Sequence, residues 1–198
     1  MTPKIAELIE RIHILQDELE LELARKREEL RYTLIDRKVR FEQEMLKRHR
    51  AIKTGLLHYI FKARLRNVIS APVIYAMFFP MLLLDACVTL YQWVCFPLYR
   101  IPRVKRRDYV IYDRHNLAYL NLLEKINCTY CSYGNGLLSY IKEIVARTEQ
   151  YWCPIKHAQR LLQPHSRYSR FADFGDAEGY RRELEKLRCD FDRPGNGK

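Results

Sequence analysis

Basic side chains are missing from residues 68–99, whose thirty-two positions hold no Lys, Arg or His and a single carboxylate, Asp85. So little charge excludes an ordinary solvated surface, because about twenty apolar residues already match the roughly 30 Å hydrocarbon thickness of a bilayer. Glycine and proline are missing from residues 4–54, which removes the usual turn punctuation from the first quarter of the chain. Also missing are a phosphate-cradling glycine loop, a His-Glu-x-x-His pair and a Ser-centred nucleophile elbow. The sequence therefore discloses no reaction and leaves open whether the protein is an enzyme. The opening MTPKIAELIERI lacks the basic and apolar regions of a cleavable signal peptide.

What is present is segregated. Ile5, Leu8, Ile12, Leu15 and Leu19 recur at spacings of three and four, and Leu23, Leu30, Leu34, Phe41 and Met45 continue the stripe after a one-residue drift. With Thr2 as cap and Pro3 at the first helical position, the pattern predicts one long charged helix over residues 1–54. So narrow a stripe calls for a helical partner, in another copy or a different protein, as in a coiled coil. Polar residues near Arg27 and Arg37 interrupt the seam, and a solvated helix is the alternative. After Gly55, residues 55–67 interleave Leu56, Tyr59, Ile60 and Phe61 with Lys62, Arg64 and Arg66, as a basic amphipathic helix at a membrane interface does.

The net charge of +11 points to nucleic acid, an acidic partner or an anionic membrane surface. Position favours the membrane: Lys62, Arg64 and Arg66 precede the apolar stretch, and Arg100, Arg103, Lys105, Arg106 and Arg107 follow it. No stacking motif, helix-turn-helix signature or zinc-finger spacing speaks for nucleic acid. Residues 68–99 are too long for one comfortable span and too short for two, and Pro72, Pro80 and Pro97 bend whatever forms. The expectations are one kinked transmembrane helix or a re-entrant hairpin, with a buried soluble core as the remaining reading. Seven Lys or Arg in residues 47–66 against six in residues 100–114 leave orientation nearly tied, and a hairpin would keep both flanks in the cytoplasm. Asp85 is expected to be paired or functional, or else to sit at a bend or near the surface.

Residues 100–163 hold the densest set of chemistry-bearing side chains. Asp113 reads as the cap of a helix carrying Leu117, Leu120, Glu124 and Cys128, the Gly134-Asn135-Gly136 run as its break, residues 137–152 as a second helix, and Pro154 as the first turn of a third. This helical hairpin brings a Cys/His cluster into view. Cys128-x-x-Cys131 and Cys153-x-x-x-His157 together form a Cys3His set of the kind that holds structural zinc. If the second helix is unbroken, Cys153 lies far from the turn, and a rival cluster of Asp113, His115, Cys153 and His157 suits a catalytic zinc or iron. Two readings need no metal: Cys153 at a helix N-terminus as an activated thiol, with Cys128 and Cys131 cycling as a dithiol, or cysteines and histidines that only pack. Glu124, Glu143 and Glu149 do not make a di-iron bundle, because none of the three begins a Glu-x-x-His pair.

In residues 164–198 the expectation is a basic tail, with Arg167, Arg170, Tyr168 and Phe171 near its start. A short amphipathic helix over residues 176–191 follows, then disorder from Arg193. Taken together, the chain reads as mainly α: a membrane-anchored helical assembly protein, with the Cys/His module on the cytoplasmic side. Its expected partners are anionic headgroups and another copy or a helical protein. The alternative is a membrane-bound metal or thiol enzyme acting on a lipidic or quinone-like substrate.

Overall fold

The computed structural model describes residues 3–35, 38–62 and 64–191. The Thr2 cap and the expected disorder after Arg193 lie outside them. Helix accounts for 69% and strand for 4%, which makes the protein mainly α. Chain contacts divide it into two compact units: Met1–Arg64 with Tyr112–Thr129, and Leu65–Ile111 with Tyr130–Lys198.

In the first unit, helix α1 (Pro3–Glu29) does not continue to residue 54. It ends where Arg31 takes a left-handed φ of 49° and its N–H returns to the Glu28 carbonyl at 3.0 Å. An antiparallel ribbon follows, β1 (Tyr32–Ile35) paired with β2 (Lys38–Phe41) in the register Tyr32 to Phe41 and Thr33 to Arg40. Aromatic and β-branched residues fit a pleated ladder better than a helix. Tyr32 and Phe41 meet across the strands with ring centroids 5.4 Å apart, a contact no helix could offer them. Helix α2 (Gln43–Ala51) and the six-residue α3 (Leu56–Phe61) complete the arm, so the expected interfacial helix stops at Phe61. His49 sits edge-on between Phe41 and Tyr119, with centroids 5.1 Å from each, and these rings with Leu30, Val39 and Leu117 line a cavity of about 380 Å³.

The second unit begins with α4 (Leu65–Ala76) and α5 (Phe78–Leu98), separated only at Met77. Pro80 explains the break. Its ring crowds the carbonyl four residues back, at Ala76, and it offers that carbonyl no N–H.

Helix α6 (Leu122–Trp152) is the main departure from the expected hairpin, because it runs unbroken through Gly134, Asn135 and Gly136. Two helical glycines cost about 1 kcal/mol each, and tertiary packing outweighs them. A Cβ on Gly136 would come within 2.8 Å of the Tyr109 carbonyl oxygen and Val110 Cα, so the missing side chain lets that segment lie against the helix. The helix is capped by Asn121 and not by Asp113: Asn121 Oδ1 accepts from the Glu124 N–H at 3.0 Å and the Glu124 carboxylate accepts from the Asn121 N–H at 2.8 Å. Asp113 instead precedes a single 3-10 turn.

Pro154 ends α6 and starts no third helix. The Pro154 carbonyl accepts from Ala172 N–H at 2.9 Å, and Lys156 N–H donates to the Ala172 carbonyl at 2.8 Å. Helix α7 (Ala177–Cys189) occupies the place of the expected short amphipathic helix, capped by Asp176, whose carboxylate accepts from the Gly179 N–H.

The core of this unit lies where α5, the returning segment and α6 converge, at Phe96, Ile101, Val104, Leu137, Tyr140 and Ile144. Polar clamps fasten the tail to α6. Gln150 donates to the Leu187 and Asp190 carbonyls at 2.8 and 2.9 Å, capping the end of α7, while the buried Arg167 bridges Glu143 and Gln150. Arg167, at the start of the basic tail, thus rests on α6.

Candidate membrane-facing surface

Leu65–Leu98 is a single stretch of 34 residues, long and apolar enough to cross a membrane, and its most apolar window has no residue buried within the protein. Its two sides differ in kind. On α5 the row Met81, Asp85, Val88, Gln92 and Phe96, spaced by three or four, turns inward toward the rest of the unit. The opposite row carries Phe79, Leu83, Leu90 and Leu98, 62 to 74% exposed. Asp85 and Gln92 thus face the protein together with Met81, Val88 and Phe96, while the outward row is apolar, unlike the polar outer face of a soluble helix.

Each inward polar group has specific partners. The Asp85 carboxylate accepts from the Arg106 guanidinium at 2.8 Å and from the Tyr133 hydroxyl at 3.0 Å. Gln92 accepts the Val104 N–H at 2.9 Å and donates to the Tyr140 hydroxyl. The expectation that Asp85 is paired is met, although Arg106, twenty-one residues later, could not be named as its partner.

Pro97 creates a further need. It denies an N–H to the Trp93 carbonyl one turn earlier, and the Arg103 guanidinium supplies the donor at 3.2 Å while lying 5.9 Å from the centre of the Trp93 ring. The basic run after the apolar stretch therefore folds back along α5. Its position was missed from sequence because only the return of the chain brings Arg103 and Arg106 beside residues 85–93; the proline-orphaned carbonyl was the available signal.

The cysteine and histidine candidates are spread out. Cys128 and Cys131 lie one turn apart on α6, and Cys153 follows its C-terminal end. Cys131 and Cys153 are separated by twenty-two residues of one helix, about 33 Å at 1.5 Å per residue. His157 is exposed, its ring stacked on Tyr168 and its N–H donating to the Tyr168 hydroxyl at 2.6 Å. Asp113 and His115 belong to the first unit, Cys153 and His157 to the second. Among the described residues, no group of three or more His, Cys, Asp or Glu side chains is placed to hold a metal ion.

The activated-thiol reading of Cys153 also changes. It stands at the C-terminal end of α6, with its N–H closing the last turn onto Glu149 at 2.8 Å. Partial burial, then the Glu149 carboxylate, push its thiol above the ordinary pKa and hold it as a poor nucleophile. Reading Pro154 as the first turn of a third helix places this residue at the opposite end of a helix dipole.

Compared with protein-family models, curated proteins and solved structures, the chain has no match.

Proposed function

We propose that this chain is a membrane-anchored helical interaction protein, in which Leu65–Leu98 holds the second unit to a bilayer and α1 recruits another helix. The observation that carries the reading is the reversed polarity of α5: Asp85 and Gln92 turned inward, Phe79, Leu83, Leu90 and Leu98 outward. Water would expose that whole row at about 25 cal/mol per Å² of apolar surface, and lipid tails relieve the penalty. The basic flanks favour anionic headgroups of a cytoplasmic leaflet.

Support for the recruiting role is the state of α1. Leu8, Ile12, Leu15 and Leu19 are 50 to 62% exposed along one side of it, which suits a second copy or a helical partner. The reading requires no metal and no reaction.

Flotation of the full chain with vesicles of phosphatidylcholine and phosphatidylglycerol tests the anchor. Recovery in the lipid fraction is expected. A protein that stays behind, soluble and monodisperse without detergent, would overturn the reading. Light scattering in detergent tests the arm, with Leu15→Asp expected to lower the mass of any assembly that the parent forms.

A further inference from the structure

We propose that α4 and α5 lie in the plane of a single leaflet, as an interfacial anchor, and do not cross the bilayer. The inference rests on the membrane-anchored reading above and concerns how the protein meets the lipid.

The outward apolar row extends over both helices. Ile69, Val73, Phe79, Leu83, Leu90 and Leu98 are each 62 to 74% exposed, and at 3.6 residues per turn they fall within an arc of about 120°. Asn67, Ser70, Asp85 and Gln92 fall on the opposite side. A crossing helix meets lipid around its middle and headgroups at its ends; here Asp85 and Gln92 turn to the protein on the side opposite this row, and Val68, Ile74, Met77, Phe78 and Leu82 add exposed apolar surface outside the arc.

Length permits either placement: α5 alone, 21 residues and about 31 Å long, matches the roughly 30 Å of hydrocarbon, and only the whole of Leu65–Leu98, 34 residues, exceeds it. The kink at Met77 then bends the anchor within the interface, without opening a backbone gap at mid-membrane depth.

The returning segment supplies the decisive charge. Arg106 pairs with Asp85 and Arg103 with the Trp93 carbonyl, so guanidinium groups stand along the side of α5 and not beyond its end. A perpendicular helix would carry these groups into hydrocarbon. A flat one sets them at the rim of the apolar row, beside Trp93, at the depth of the phosphates, where a charged polar face and an aromatic rim belong. The same orientation keeps both basic flanks on one side of the membrane, which removes the near-tie in orientation.

Depth-resolved fluorescence tests the proposal. In full-length protein with Trp93→Phe and Trp152→Phe, single tryptophans replace Ile69, Phe79, Leu90 or Leu98, all exposed positions that tolerate an aromatic ring. Each variant is bound to phosphatidylcholine and phosphatidylglycerol vesicles carrying bromines near the carbonyl end or the methyl end of the acyl chains. The expected result is the same fractional loss of emission at all four positions, greater with shallow bromines than with deep ones. Deepest quenching at Phe79 or Leu90, with only shallow quenching at Leu98, would mean a crossing helix and overturn the flat orientation. Absence of quenching everywhere would instead mean that the anchoring reading itself has failed.

Discussion

Arg106 donates to the Asp85 carboxylate at 2.8 Å, with the Tyr133 hydroxyl as a second donor at 3.0 Å. One acidic group on an otherwise apolar helix thereby joins the returning segment and α6. Asp85→Ala leaves both donors without this acceptor, and a loss of about 2 kcal/mol is expected for hydrogen bonds to a charged group. Asp85→Asn, which keeps an acceptor oxygen, should lose less. Thermal unfolding of the detergent-solubilised protein followed by circular dichroism measures both; equal midpoints for parent and Asp85→Ala would show that the contact contributes nothing.

The two glycines of α6 should respond oppositely to alanine. At Gly136 a new Cβ meets backbone at 2.8 Å, and overpacking of about 2 kcal/mol is expected to exceed the propensity gain of about 1 kcal/mol. At Gly134 the nearest atom is the Met81 sulfur at 3.3 Å, on a flexible side chain that can yield. Gly134→Ala should be neutral or stabilising. A melting comparison of the two variants checks the continuity of α6, since a hairpin turn at this point would penalise both.

Stability should fall in mild acid. Burial holds His165 below its ordinary value of 6.5, against the pull of Glu149, whose carboxylate lies 3.0 Å from Nε2. As pH drops from about 6.5 toward the lower folded value, the unfolded chain binds the proton more readily, so unfolding becomes easier; above that window the group contributes no slope. His165→Gln should flatten this part of a urea midpoint against pH curve. An unchanged slope would assign the acid sensitivity to other groups.

Cys153 should alkylate slowly at neutral pH. Its raised pKa follows from partial burial and from Glu149, so Glu149→Gln is expected to speed the reaction with iodoacetamide, read by peptide mass spectrometry. Rapid labelling of the parent would restore the activated-thiol reading.

How much was legible in the sequence varies by element. The apolar stretch could be read directly, since hydrophobicity is a sum over neighbours and needs no fold to compute. The ribbon at Tyr32 and Phe41 was overlooked because a three-four apolar spacing continued across it, while the competing signal was a cross-strand ring contact. Among the described residues the Cys3His set is not brought together, because Cys131 lies on α6 and Cys153 just past its far end, which spacing alone does not disclose.

By itself the sequence determined that this protein has an apolar segment without Lys, Arg or His and with one carboxylate, fenced by cations, because both features are properties of consecutive residues. Only the tertiary structure decided that Gly134 and Gly136 sit inside a helix, that Asp85 answers to Arg106, and that Arg103 stands beside Trp93. Each depends on residues distant in the chain meeting, where packing of about 1 to 3 kcal/mol overrides local preferences of similar size.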